Sequence, residues 1–170
     1  ARYGVDASAM RKKADVIVVA DSGNWDAGLA LQIFDVSDPT KPKQTHKHVF
    51  AEGGYSEASY NHKAFTYYAE KKLLAFPYVK YYPEFGSSLE LFSVDKTAGF
   101  THLGAVSHTT LVEDQCGDEV PMLEDGADAV YWNCSYQPEV RRGLFINDDD
   151  TNYVYSLSWS GILVHDLTDL

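Results

Sequence analysis

The sequence predicts an all-β fold built from short antiparallel strands that repeat along the chain, and three observations support this prediction. Aromatic residues make up 14% of the chain, and their flat side chains fit the half-buried surface of a pleated sheet. Apolar and polar residues alternate in many short stretches, whereas the spacing of an amphipathic helix is hard to find. One strand-like phrase occurs three times. Such a repeat is typical of a β-propeller, whose blades are antiparallel sheets around a common axis.

The repeated phrase is the main evidence for blades. Residues 31–38 (LQIFDVSD) align with residues 89–96 (LELFSVDK) and, more loosely, with residues 162–169 (ILVHDLTD). The alternation within each copy predicts a strand with one buried face. Each copy closes on an acidic, turn-prone end, where Asp, Ser and Thr favour turns because their side chains hydrogen-bond the local backbone.

Further strand-like segments flank the copies and build each unit up to four antiparallel strands, the anatomy of a propeller blade. Each has an apolar core and is bounded by turn-forming residues. These segments are residues 16–20, 45–50, 64–68, 73–79, 101–107, 143–146 and 153–158.

The chain is predicted to form one partial propeller domain over residues 1–170. It supplies about three four-stranded blades, whereas closed propellers have about four to eight. We expect another chain, a second copy or a missing segment to complete the ring, because an open blade leaves an unpaired strand edge. The first residue, Ala1, predicts a processed product or a fragment.

The charge balance narrows the class of partner. The chain has 25 acidic and 14 basic residues and a net charge of -11, which repels phosphate backbones and argues against nucleic acid. No apolar run approaches the roughly 18 residues that a membrane span needs. The acidity suits a cation or a basic surface, or it only keeps an exported protein soluble.

Two cysteines, Cys116 and Cys134, are the only ones in the chain. They lie in an acidic segment, residues 114–138, which we predict to be a long loop between blades. A disulfide between them would hold this loop in place, and two buried thiols are the alternative. Two cysteines without a nearby histidine pair make a poor zinc site.

A more specific resemblance lies in residues 56–79 (SEASYNHKAFTYYAEKKLLAFPYV) and 141–167 (RRGLFINDDDTNYVYSLSWSGILVHDL). The first stretch resembles the S-E-A-x-x-D-H-K-A-F signature of the secreted C-terminal β-propeller domain family of bacteria and archaea, which is distantly related to WD40 repeats. The second resembles the last blade of that family. Asn61 replaces the usual Asp. The resemblance implies a secreted or cell-surface protein, and it carries over no catalytic activity because the family has none that is well established.

The resemblance also implies that Glu57, His62 and Lys63 are structural motif residues. For His62 we expect a hydrogen bond across blades. A serine nucleophile elbow is not indicated by the nearby G-Y-S-E-A phrase, because its last glycine is replaced by Ala58 and no helix is predicted after it.

The segment of residues 147–152 contains a candidate Ca²⁺ site. Asp148, Asp150 and Asn152 stand at alternate positions, which is how an oxygen cage for this ion begins. Tyr153 replaces the glycine that an EF-hand loop requires. A solvated acidic turn between two strands is the alternative interpretation.

Two other groups are candidate binding residues. Tyr81, Tyr82 and Phe85 could form an aromatic platform for a carbohydrate or protein ligand, although propeller aromatics mostly fill the space between blades. His46 and His48 are two apart on a predicted strand and so share a face, but a third metal ligand is not nearby in sequence.

These patterns predict an extracellular, non-catalytic binding or scaffolding module, with Ca²⁺ as the only candidate cofactor. The alternative is an extracellular hydrolase or lyase with an acidic active site at the axial end of the propeller. Fold-level analogy favours binding. Carboxylates and a histidine that converge at one end of the fold would favour the enzyme.

Overall fold

The computed structural model describes residues 15–21, 28–50, 54–80, 86–111, 138–148 and 151–168. These residues form eleven strands in three antiparallel sheets and confirm the predicted all-β class. Among them, no helix is both long and apolar enough to cross a membrane.

The first sheet has the order β1-β2-β3, with β1 at Asp15–Asp21, β2 at Leu29–Asp35 and β3 at Lys43–Val49. Strand β2 covers most of the first copy of the repeated phrase, and β1 and β3 overlap the strand-like segments predicted at residues 16–20 and 45–50. Strand β2 ends at its aspartate because the carboxylate accepts a hydrogen bond of 2.8 Å from Ser37 N and so starts a turn.

The second sheet has five strands: β4 (Gly54–Tyr55), β5 (Thr66–Tyr68), β6 (Leu73–Lys80), β7 (Gly86–Asp95) and β8 (Gly99–Ser107). Strands β6, β7 and β8 are consecutive neighbours. Strands β4 and β5 pair with opposite ends of the other edge of β6, the one that faces away from β7. This sheet confirms the predicted four-stranded blade and adds the short β4 to it.

The third sheet has the order β9-β10-β11, with β9 at Val140–Asp148, β10 at Thr151–Ser158 and β11 at Ile162–Asp166. The described parts of the first and third sheets therefore have three strands each, not the predicted four. The first sheet has the outer strand β3, whereas the third has the inner strand β9.

The second sheet is buried on both faces because its strands alternate apolar side chains between two cores. Along β6, Leu74 and Phe76 pack against the first sheet, whereas Ala75 between them packs against the third. The first of the two cores consists of Leu29, Leu31, Ile33, Ala58, Ala64, Phe65, Leu74, Phe76, Tyr78, Phe92 and Val94. The second consists of Ala75, Leu89, Leu91, Val106, Val140 and Val154. Three sheets packed face to face in chain order form a propeller arrangement.

Two 3₁₀ turns, Glu57–Ser59 and His62–Ala64, interrupt the inner edge of the second sheet between β4 and β5. Ser56 and Asn61 cap them: Ser56 Oγ accepts from Ala58 N at 3.1 Å, and Asn61 Oδ1 accepts from Lys63 N at 3.1 Å. The inner strand predicted at residues 64–68 therefore begins only at residue 66, because the capped turn fixes the preceding backbone.

Candidate functional site

The first turn places a carboxylate at the junction of the second and third sheets. Glu57 is 7% exposed, and its Oε1 accepts a hydrogen bond of 2.6 Å from Asn61 Nδ2. Its backbone oxygen also accepts from Asn61 N at 2.8 Å. Ser56 fixes the start of the turn, since its hydroxyl donates to the carbonyl of Pro77 on β6. The turn and the strand beneath it therefore hold the carboxylate in one place.

Two arginines on β9 reach this carboxylate from the neighbouring sheet. Arg142 Nη2 lies 3.0 Å from Glu57 Oε1, and Arg141 Nη2 lies 3.0 Å from Oε2. The Oε2 contact is an ion pair without hydrogen-bond geometry. Arg141 also pairs with Glu139 at 3.2 Å. We call Glu57, Asn61, Arg141 and Arg142 the glutamate clamp, because they join the second sheet to the third.

The protonation state of Glu57 follows from two opposing effects. Burial favours the neutral acid, but the hydrogen bonds from Arg142 and Asn61 and the charges of both guanidinium groups outweigh burial. They hold the pKa of Glu57 below its ordinary value. The carboxylate is thus ionised at neutral pH and already paired, as a structural ion pair requires.

A second polar junction between the same sheets is centred on His108, which follows β8 and is fully buried. Its Nε2 lies 2.7 Å from Ser156 Oγ, and its Nδ1 lies 2.8 Å from Ser158 Oγ. Burial, together with the nearby His165, lowers the pKa of His108. Ser156 is also fully buried, so a substrate has no access to this serine and histidine pair in the structure.

The junction of the first and second sheets contains the two histidines of β3. His46 Nε2 lies 3.1 Å from the Thr97 carbonyl, and the His48 ring packs edge-on against Phe92 with centroids 5.1 Å apart. Desolvation lowers the pKa of His48. Within the described ranges, no group of three or more His, Cys, Asp or Glu side chains is arranged to hold a metal ion.

Glu90, on β7, is buried and pairs with His102 on β8, with Glu90 Oε2 at 2.7 Å from His102 Nε2. Its other oxygen accepts from Ser88 Oγ at 2.6 Å. This pair and the glutamate clamp belong to different sheet junctions. The enzyme interpretation needs carboxylates and a histidine that converge at one end of the fold. These two described carboxylates instead lie in separate pairs at different sheet junctions.

The third sheet has an exposed apolar face on the side away from the second sheet. The cross-strand pairs Leu144 with Tyr155, and Tyr155 with Val164, show that β9, β10 and β11 contribute to it together, since directly opposed residues share a face. Its four aliphatic side chains on the outer strands are 44% to 58% exposed. We call this surface the third-sheet face: Leu144, Ile146, Tyr153, Tyr155, Leu157, Ile162 and Val164.

Several of the predicted site residues lie outside the described residues, so their predictions stay predictions. These are both cysteines of the proposed disulfide, the middle residue of the proposed Ca²⁺ site and the proposed aromatic platform: Cys116, Cys134, Asp150, Tyr81, Tyr82 and Phe85. Asp148 ends β9, and nothing beyond its backbone is described.

The remaining predicted residues are placed. Glu57 belongs to the glutamate clamp. His62 and Lys63 are exposed in the second turn, and the expected cross-blade hydrogen bond of His62 is not seen within the described part of the chain. Asn152 lies on β10, and its Oδ1 is buried without a hydrogen-bond partner.

Sequence reasoning missed Asn61, Arg141, Arg142 and His108 as functional or structural partners. The doubled arginine, which lies within β9, was a usable signal, because a guanidinium group that becomes buried in a sheet pairs with a carboxylate. No pattern around His108 indicates its contact with Ser156, since 48 positions separate the two residues.

A comparison with protein families finds one match: a family model described as beta propeller domain matches residues 8–170. No curated protein and no solved structure matches the chain.

Proposed function

We propose that this chain, which belongs to the beta propeller domain family, is a non-catalytic binding or scaffolding module that docks through its third-sheet face. The observation that carries this proposal is the exposure of four aliphatic residues on one face of one sheet. Leu144, Ile146, Ile162 and Val164 are all substantially exposed. Contiguous apolar surface of this kind marks interaction sites in soluble proteins.

A further antiparallel sheet, from a second copy of this chain, fits the third-sheet face. The three sheets of the chain already pack on one another through alternating apolar faces. Two copies contribute six sheets, and about four to eight close a propeller ring. Head-to-tail packing of the third sheet on the first sheet of the other copy satisfies both ends of the incomplete ring.

Sedimentation velocity over a range of concentrations tests this proposal. The chain is expected to self-associate, and the double variant I146K/V164K is expected to sediment as a monomer, because two charges in the contact would lose their hydration. Leu103→Lys is the matched control, since Leu103 is exposed on β8, outside the third-sheet face. Wild type that stays monomeric at every concentration contradicts self-docking.

We also propose that Asp148, Asp150 and Asn152 bind Ca²⁺ in the turn between β9 and β10. The strand register pairs Asp148 with Thr151 and Asn147 with Asn152, so Asp148 and Asn152 belong to the same end of the β9-β10 pair. Asn152 Oδ1 is buried without a hydrogen-bond partner. This supports the proposal, because Ca²⁺ binds oxygen ligands of this kind. Chelation of Ca²⁺ should then lower the melting temperature, and an unchanged melting temperature rejects the site.

We propose that the module works outside the cell, at the cell surface or in an extracellular assembly. The supporting observations are the motif resemblance of residues 56–79 and the strong acidity of the chain. A bridge between Cys116 and Cys134 should accompany export, because disulfides persist in oxidising compartments. Mass spectrometry without reductant should show two hydrogens fewer, whereas labelling of both thiols contradicts the bridge.

A further inference from the structure

The repeated phrase relates the three sheets to one another, and the comparison shows a strand position in the third sheet that no described residue fills. The repeated phrase lies on β2, β7 and β11, one copy in each sheet. Strand β2 pairs on its outer side with β3, and β7 pairs in the same way with β8. Strand β11 is the last strand of its sheet, and no strand among the described residues pairs with its outer side.

The backbone of β11 directs hydrogen-bonding groups toward that open position. At the two ends of the β10 and β11 pair, Ser158 N donates to Gly161 O at 3.0 Å and Leu167 N donates to Asn152 O at 2.9 Å. Hydrogen-bonded pairs alternate with non-hydrogen-bonded pairs in an antiparallel ladder. Leu163 and His165 are therefore bonded to β10. The N–H and C=O groups of Ile162, Val164 and Asp166 point outward.

The outer strand β3 indicates what kind of segment fits this edge. In the first sheet Lys43 of β3 lies directly opposite Asp35 of β2. The repeat aligns Asp35 with Asp166, so a basic residue on an incoming strand would lie opposite Asp166. An opposite-charge pair across two strands favours one register, and the net charge of -11 attracts basic segments in general.

We propose that the outer edge of β11 binds a basic extended segment of a partner, which joins the third sheet as its fourth strand. Main-chain hydrogen bonds from Ile162, Val164 and Asp166 supply the affinity, and side chains at alternate positions of the segment supply the specificity. The lysine nearest its start pairs with Asp166. The inference is independent of docking at the third-sheet face, because it uses the strand edge.

The test uses a synthetic capped peptide with the sequence of residues 43–50, KQTHKHVF, and amide hydrogen exchange of the chain resolved by residue. Binding should slow exchange at Ile162, Val164 and Asp166 and leave Leu163 and His165 unchanged, since only the first three amides point outward. The absence of slowed exchange at saturating peptide, or equal slowing at all five amides, overturns the proposal.

Val164→Pro is the informative variant, because proline removes an outward N–H without removing a bond to β10. Peptide binding should weaken at least about tenfold, the loss expected for a main-chain hydrogen bond with its donor removed. Val164→Ala keeps the N–H and is the matched control, with affinity near that of wild type. Equal binding by V164P and V164A contradicts strand addition.

Two further arms separate the possible outcomes. A peptide N-methylated at the residue facing Val164 removes the reciprocal hydrogen bond of the same residue pair, from the peptide N–H to the Val164 carbonyl. It tests strand addition on unchanged protein, in case V164P does not fold. The variant I146K, which disrupts the third-sheet face on β9, should bind the peptide as well as wild type does. Loss of peptide binding in I146K would assign the binding to the face and reject the edge.

Discussion

At the scale of single residues, the fold depends on charged and polar groups that join neighbouring sheets. Glu57 pairs with two arginines that come from another sheet, 84 and 85 positions later in the chain. His108 joins the same two sheets without an ion pair, because each of its ring nitrogens lies within hydrogen-bond distance of a serine hydroxyl. Each of these groups is buried and meets its partners only when both sheets are in place, so each favours this particular packing of the two sheets.

Glu57→Gln is expected to lower the free energy of unfolding by about 2 kcal/mol. Removing one partner of a buried ion pair costs about 3 to 5 kcal/mol, and we reduce this value because the two arginines are about one-third exposed. Urea denaturation measures the change.

Lys72→Gln is the control for this variant. Lys72 pairs with Asp95 at 2.7 Å, but both side chains are well exposed, so stability should not change measurably. If both variants behave alike, burial of Glu57 does not contribute as argued.

Acid should weaken the second junction. Burial lowers the pKa of His108 below its ordinary value of 6.5, so the unfolded chain takes up this proton at a higher pH than the folded protein does. The contribution of His108 to stability is complete above the pKa of the unfolded chain. It is lost as the pH falls from there through the folded pKa. The facing groups are Ser156, Ser158 and His165.

The measurement is the free energy of unfolding between pH 8 and 5 for wild type and for His108→Gln. The variant should have a flatter profile, because glutamine does not titrate. The lowered pKa of Glu57 adds a separate loss of stability at a lower pH, below its ordinary value of 4.5. Parallel profiles in the two proteins would contradict the assignment to His108.

At the scale of strands, close approach of the backbones decides which residues are tolerated. An added Cβ at Gly143 on β9 would lie 2.7 Å from Leu89 Cδ2 and 3.2 Å from Ala75 Cβ, both on the second sheet. Thr66 Oγ1 also donates to the Gly143 carbonyl at 2.7 Å. Gly143 therefore sets how near the third sheet comes to the second.

Gly143→Ala should destabilise the protein by about 1 to 3 kcal/mol, the usual cost of inserting a methyl group into a packed contact. Gly86→Ala is the matched control, because its nearest neighbour would be Lys80 Cε at 3.8 Å and its backbone is not in the left-handed region. Thermal melts of both variants make the comparison. Equal melting temperatures would contradict close packing at Gly143.

At the scale of the whole molecule, the second sheet couples the other two. Phe76 on β6 belongs to the core shared with the first sheet, and the adjacent Ala75 belongs to the core shared with the third. A shift of β6 therefore disturbs the packing on both faces of the second sheet. The described sheets should therefore unfold as one cooperative unit.

Phe76→Leu tests this coupling. The smaller side chain leaves a cavity between the first two sheets and should cost about 1 to 2 kcal/mol. Native-state hydrogen exchange should show the same loss of protection at Val154 on β10, which belongs to the other core. Full protection of Val154 in the variant would show that the third sheet unfolds independently.

The strands and their order were largely predictable from the sequence. The period-two alternation in residues 31–38, 89–96 and 162–169 reflects burial of one strand face at a time, which is a local property of the chain. The aspartates near the ends of these segments form turns through hydrogen bonds to residues two positions later. The family match over residues 8–170 agrees with the predicted propeller class.

The partners of the buried groups were not predictable in this way. Whether Glu57 meets Arg141 and Arg142, or His108 meets Ser156, depends on how sheets pack, and the residues concerned are 48 to 85 positions apart. Local periodicity fixes which way a side chain points but not what it reaches. The sequence by itself thus determined strands, turns and fold class. Only the tertiary structure decided the glutamate clamp, the exposed third-sheet face and the edge of β11 that no described strand pairs, because these follow from how strands and sheets meet.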